Sequence, residues 1–130
     1  MDAPPAPDSP EAFLETCRTV MGSLPEPLRA AARRVAIVIR DCAEPEILSD
    51  LGLDNPLDLT GLYSGVSLIH ESVMHPSPEG PMIFLYRHPI LAEWRARGDV
   101  DLSDLIAHVF IHELAHHFGW SDEEIYALAE

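Results

Sequence analysis

The residues whose types and spacing could do chemistry are His112, Glu113 and His116, followed by Gly119 and Asp122, in the order H-E-x-x-H-x-x-G-x-x-D. On a helix His112 and His116 stand one turn apart, so both imidazoles project from one face and can meet one ion. Glu113 lies about 100° round the helix from His112, beside the ligands and not among them. That suits a carboxylate that takes a proton from a metal-bound water, and Zn²⁺ lowers the pKa of such a water to about 7. The chemistry expected is hydrolysis at a carbonyl, with one zinc per chain and Glu113 as general base.

Two histidines leave a catalytic zinc one protein ligand short. An unbroken helix would carry Asp122 about 9 Å from His116, so the helix has to break first. Gly119 can break it, because glycine takes a positive φ without penalty. Asp122 is the expected third ligand on spacing; Glu123 and Glu124 are the alternatives. With seven His in 130 residues, H-E-x-x-H alone arises by chance in roughly 3 % of such chains. Gly119 and Asp122 at third-ligand spacing make chance a far weaker account.

Other candidates read as structural. His108 shares the stripe but lies about 12 Å from His116 along the axis, so it is expected to be partly buried or to support the ligands. His117 is expected to point away from the metal face, toward solvent or in support of the ligands. His70, His75 and His88 carry no spacing signal and read as surface residues. Tyr63, Tyr86 and Tyr126 could each donate to a developing oxyanion, and the sequence selects none of them.

The elements that must position these residues follow from periodicity and punctuation. Ser9-Pro10-Glu11 predicts a helix start, with Phe13, Leu14, Cys17, Val20 and Met21 on one face and a stop at Gly22-Ser23. A short helix from Pro27 through Arg34 leads into Val35–Ile39, which reads as a buried strand. A short helix is expected over Glu46–Leu51, and a strand or turn over Gly61–Val66 that Ser67–Glu71 could extend. His75–Pro81 reads as loop and Met82–Tyr86 as a second strand. His88-Pro89 opens a helix to about Arg97, with Gly98 capping it. Asp101 or Ser103 caps the next helix, which runs through Phe118. Apolar residues surround most of that helix, so it reads as packed between other elements, and three ionisable groups on it need partners or a metal. Ser121-Asp122-Glu123-Glu124 has the form of a capping box for a last short helix.

Composition sets the outer bounds. With 47 % hydrophobic and 23 % charged residues, the chain reads as an ordinary globular protein. Residues 1–8 are expected to form a flexible acidic, Pro-rich tail and residues 9–130 a single domain with one modest core. A net charge of −14 disfavours nucleic acid as a partner, since phosphate binding needs clustered Lys and Arg. No apolar run approaches a membrane span. Cys17 and Cys42 lack C-x-x-C spacing and read as free thiols, and the N-terminus has no signal-peptide pattern, so a cytoplasmic location is expected.

The block His112-Glu113-Leu114-Ala115-His116-His117-Phe118-Gly119, ending in Ser121-Asp122-Glu123, resembles a family of small bacterial zincin-like metallopeptidases. Ser23-Leu24-Pro25, Gly61-Leu62-Tyr63-Ser64-Gly65-Val66 and Ile83-Phe84-Leu85-Tyr86-Arg87 extend the resemblance over most of the chain from about Phe13 onward. It implies a minimal zincin fold of α+β class, a small mixed sheet packed against helices that include the H-E-x-x-H helix. It also implies zinc held by His112, His116 and Asp122, with Glu113 as base. The motif is similar to that of the metzincins, but Asp stands where they have His, and no Met follows Asp122 to form their Met-containing turn.

The function expected is zinc-dependent cleavage of a peptide or protein substrate, with Met82–Arg87 as the edge strand along which an extended peptide lies. The alternatives are a zinc-binding interaction or regulatory module that cleaves nothing, and a zinc hydrolase of a non-peptide amide or ester. Glu113 speaks against the first, because a structural zinc site prefers four protein ligands and has no use for a base.

Overall fold

A computed structural model describes residues 5–64 and 80–119. In chain order these form α1 (Pro10–Ser23), α2 (Glu26–Ala32), β1 (Ala36–Arg40), α3 (Pro45–Asp50), a 3₁₀ turn (Pro56–Asp58), β2 (Gly61–Ser64), β3 (Met82–Tyr86), α4 (Arg87–Arg97) and α5 (Leu102–His117). The sheet has the order β1-β3-β2, with β1 parallel and β2 antiparallel to β3. The class is therefore α+β with a mixed sheet.

Successive side chains of a strand point to opposite faces, and β3 uses both. Ile83 and Leu85 point into the main core with Phe13, Cys17, Ile90, Ile106 and Phe110, while Phe84 and Tyr86 join Ala43 and Leu48 in a second cluster. Ile83, Leu85 and Phe110 are wholly excluded from solvent, each burial contributing about 1.5–3 kcal/mol. Helix α5 packs under β2 and β3, and α1 packs under β1 and against α5.

The helix ends follow the chemistry expected of them. Ser9 accepts from the Ala12 N–H at 3.1 Å, with Pro10 opening α1. Gly98 closes α4 in the left-handed region (φ 74°), its N–H bonded to the Trp94 carbonyl. Asp101 occupies the cap of α5, but its carboxylate accepts from Ser103 Oγ at 2.5 Å instead of from the helix backbone. Further toward the N-terminus, Arg87 donates from Nε and Nη2 to the Asp8 carbonyl at 2.9 and 2.6 Å, holding the lead-in to α1.

Several expectations are corrected. Val35–Ile39 is not a buried strand: among the described residues β1 lies at the edge of the sheet, its ends exposed and its middle half-buried. Met82–Arg87 cannot be the peptide-bearing edge, because β3 is the central strand with both sides hydrogen-bonded and Arg87 already begins α4. Both reversals have one cause. Apolar β-branched runs mark burial, but the sheet order that decides which run is central depends on long-range pairing. Helix α5 is also less enclosed than its composition suggests, since His108 and Ile111 are exposed, Ile111 at 48 %.

Candidate active site

The buried side of α5 turns as the helix proceeds. Leu102, Leu105, Ile106, Val109 and Phe110 face the core in its first half, and Leu114 and Ala115 in its second. The sector held by Leu105 and Val109 passes to His112, Glu113 and His116, all three half-buried. The rings of His112 and His116 stand edge to face with centroids 5.0 Å apart, as residues one turn apart on one face should. Among the described residues no three His, Cys, Asp or Glu side chains are gathered as an ion site. Asp122, Glu123 and Glu124 lie outside the described residues.

The break expected after the motif is present. Helix α5 ends at His117, with Phe118 as its cap residue. Gly119 follows at φ 90°, its N–H bonded to the His116 carbonyl at 2.9 Å. A side chain at that φ is strained whatever the space around it, and the space here is open. Glycine is thus required at position 119, where the helix has ended directly after the candidate ligands.

Strand β2 is fastened along one stripe of α5. A β-carbon on Gly61 would lie 2.9 Å from Val109 Cγ1 and 3.2 Å from Glu113 Cγ, so only glycine lets the strand come this close. One turn further on, the Tyr63 hydroxyl meets His117 Nδ1 at 2.9 Å, and His117 Nε2 meets the Ala31 carbonyl at 3.2 Å. A carbonyl can only accept, so Nε2 is assigned the proton and donates, and the Nε2–H tautomer leaves Nδ1 to accept from Tyr63 O–H. Burial pushes the Tyr63 hydroxyl above its ordinary pKa of 10.0, keeping it a donor.

Val109, Glu113 and His117 follow each other at four-residue spacing beneath β2. At about 100° per residue, His112 and His116 fall on the opposite side of that stripe from the core residue Phe110. On the helical wheel the histidine pair therefore falls on the side of α5 toward the outer edge of β2. The Tyr86 N–H donates to the Thr60 carbonyl at 3.0 Å, and Leu62 stands opposite Phe84. By the alternation of antiparallel ladders, the backbone groups of Gly61 and Tyr63 then point to that outer edge. Among the described residues no strand pairs with it.

The remaining candidates sort by surroundings. His108 is exposed, correcting the expectation of a partly buried residue, because its side of the first half of α5 faces solvent. His117 is engaged on both ring nitrogens, not merely turned outward. His88 is an exposed surface residue, its Nδ1 3.6 Å from Cys42 Sγ. Of the tyrosines, Tyr63 is committed to His117. Tyr86 is 1 % exposed, and its hydroxyl finds no hydrogen-bond partner among the described residues. Burial raises its pKa, with Glu44 and Glu113 adding to the rise and Arg40 opposing it. His70, His75 and Tyr126 lie outside the described residues. Sequence reading missed Gly61 and the Tyr63–His117 contact; the His116-His117 doublet and the glycines around Leu62-Tyr63-Ser64 were the available signals.

The described helices include none long and apolar enough to cross a membrane. A family model for zincin-like metallopeptidases matches residues 32–130. No curated protein matches the chain.

Proposed function

The chain belongs to the zincin-like metallopeptidase family, and from that premise we propose that it is a zinc-dependent peptidase with Glu113 as its general base. The observation that carries the reading is the stripe beneath β2: Glu113 packs under the strand at Gly61, and the paired rings of His112 and His116 fall, at about 100° per residue, on the side of that stripe away from the core.

The donors present fit zinc. Two half-buried imidazoles one turn apart, on a helix that breaks at Gly119, match the N-donor pair of a catalytic zinc site. His112 and His116 would hold the ion, with Asp122 as third ligand. Zinc, when bound, supplies Lewis-acid polarisation of a carbonyl and a lowered pKa for water.

The rest is done by the chain's own groups. An extended peptide adds to the outer edge of β2, pairing its main chain with the outward backbone groups of Gly61 and Tyr63. This brings the scissile carbonyl alongside the helix that carries Glu113. The Glu113 carboxylate takes a proton from the attacking water and returns it to the departing amine nitrogen. The absence of a side chain at Gly61 leaves room for the Glu113 side chain beneath β2, which seats the base close to the strand where the peptide docks.

Metal analysis combined with a peptide-library cleavage assay on wild type and Glu113→Gln tests the reading. One zinc per chain in both proteins is expected, with cleavage only in wild type. Zinc in both with no Glu113-dependent cleavage of any peptide would leave a binding module, or a hydrolase of other amides or esters. No zinc in either protein would end the proposal.

A further inference from the structure

We propose that His117 is a positioning residue that sets the rotation of α5 and the seating of β2, so that the last histidine of the H-E-x-x-H-H run is a strut between three elements. The proposal rests on the peptidase reading for its catalytic consequence, but its structural content stands apart from it.

Apolar packing alone specifies the rotation of α5 poorly. Its buried side chains sweep a wide arc, from Leu105 and Val109 through Phe110 to Leu114, and hydrophobic contact is non-directional. A small rotation would exchange one apolar contact for another while swinging His112 and His116 away from β2. Directional bonds oppose such a rotation, and His117 makes two. Its Nδ1 accepts from Tyr63 on β2, and its Nε2–H donates to the Ala31 carbonyl on α2. The ring is half-buried and also lies against Tyr63, with centroids 5.5 Å apart. A rotation that moves the ring away from either partner breaks a bond that packing alone would not replace.

The strut acts with a second contact one turn away. Gly61 comes so close to α5 that a β-carbon there would lie 2.9 Å from Val109 Cγ1 and 3.2 Å from Glu113 Cγ, and Tyr63 bonds to His117, so β2 runs along α5 with close packing at one end and a hydrogen bond at the other. One point alone would let the strand pivot. Two hold its outer edge beside the candidate ligands. Because neighbouring residues on a helix stand about 100° apart, holding the His117 ring inward under β2 keeps that of His116 at the strand's edge.

Tyr63→Phe tests this with the ring kept and only the donor lost. In wild type, long-range proton–nitrogen correlation spectra of the imidazoles should show His117 as the Nε2–H tautomer, with Nδ1 hydrogen-bonded. In Tyr63→Phe that Nδ1 signal should move toward the unbonded position. Zinc affinity, read by competition with a chromophoric chelator, should weaken about tenfold, the scale seen when support of a ligand is removed. KM for a cleaved peptide should rise about tenfold because the seating of β2 suffers, and kcat should fall with it because α5 also carries Glu113.

His117→Gln provides the second variant. Its amide can still reach the Ala31 carbonyl but offers Tyr63 no acceptor at the Nδ1 position, so the same losses are expected. The proposal is overturned by an Nδ1–H tautomer in wild type, or by folded variants that keep wild-type zinc affinity. If wild type binds zinc but cuts no peptide, the peptidase reading fails, while the tautomer and zinc-affinity measurements still decide the strut.

Discussion

A β-carbon at Gly61 would lie 3.2 Å from Cγ of Glu113, closer than a comfortable van der Waals contact. The relationship brings the sheet close to the proposed base through the absence of a side chain. Its backbone lies outside the positive-φ region that favours glycine, so the requirement is for space alone. Gly61→Ala must displace Val109 and Glu113 or lift β2. Overpacking of this kind costs about 1–3 kcal/mol, visible as a lower midpoint in thermal unfolding. Cleavage should fall more than stability explains, by about 10²-fold, since a displaced base loses its pre-set geometry. Zinc stoichiometry should stay at wild-type level. Full activity in a folded Gly61→Ala protein would mean that the close approach has no part in positioning the base.

Gly119 makes the opposite kind of demand. Nothing lies within 4 Å of where its β-carbon would be, yet its φ is 90°. Gly119→Ala should therefore cost about 1–2 kcal/mol through backbone strain and nothing through crowding. If the turn at Gly119 returns Asp122 to the metal, zinc affinity should fall as well. Chelator competition on Gly119→Ala and Asp122→Ala measures both effects. Wild-type zinc affinity in Asp122→Ala would move the third ligand to Glu123 or Glu124.

Much of this site was readable as sequence because its parts are local. The His112–Glu113–His116 spacing, the helix that carries it and the break at Gly119 each depend on residues within a few positions of one another, where helical geometry is nearly fixed. The same holds for Ser9 capping α1 and Gly98 ending α4. What escaped was long-range. Val35–Ile39 and Met82–Tyr86 are both apolar strand patterns, and nothing local distinguishes the edge from the centre of a three-stranded sheet. The Tyr63–His117 bond joins residues 54 positions apart, and the crowding at Gly61 exists only once β2 is laid on α5. Pattern therefore singled out the candidate groups and the helix that carries them, while pairing decided what lies beside them.

The two free cysteines should behave very differently. Cys17 is fully buried, and desolvation pushes its thiol up to about 12 from an ordinary 9.0, a backbone hydrogen bond opposing the rise. Under native conditions a thiol reagent should label Cys42 alone, and denaturant should release the second thiol. The raised value also predicts alkaline lability. In the unfolded chain Cys17 loses its proton near its ordinary value, whereas in the folded protein it holds the proton to about 12. Stability from this source is thus complete below about pH 9 and is lost as pH rises toward 12, on the order of 4 kcal/mol in all. Tyr63 and Tyr86, also raised by burial, add in the same direction. Urea midpoints measured across this range should decline steeply for wild type and less steeply for Cys17→Ala. Equal slopes would mean that Cys17 ionises as freely folded as unfolded.

Docking along β2 has a signature independent of any mutation. Only alternate residues of an edge strand present backbone groups outward, and here the ladder turns those of Gly61 and Tyr63 away from β3, to the side where no strand pairs among the described residues. A bound peptide would therefore bond through alternate residues of its own, because its main chain has the same two-residue period. Methylating a peptide nitrogen removes the donor and adds bulk at one position only. Scanning N-methyl groups along a cleaved peptide should slow cleavage strongly at positions two residues apart and weakly between them. Each sensitive position should show in KM, at about tenfold, the worth of one hydrogen bond lost in a docked strand. A flat profile would exclude strand addition at this edge, and a sensitive run without alternation would point to a groove that grips the peptide by its side chains.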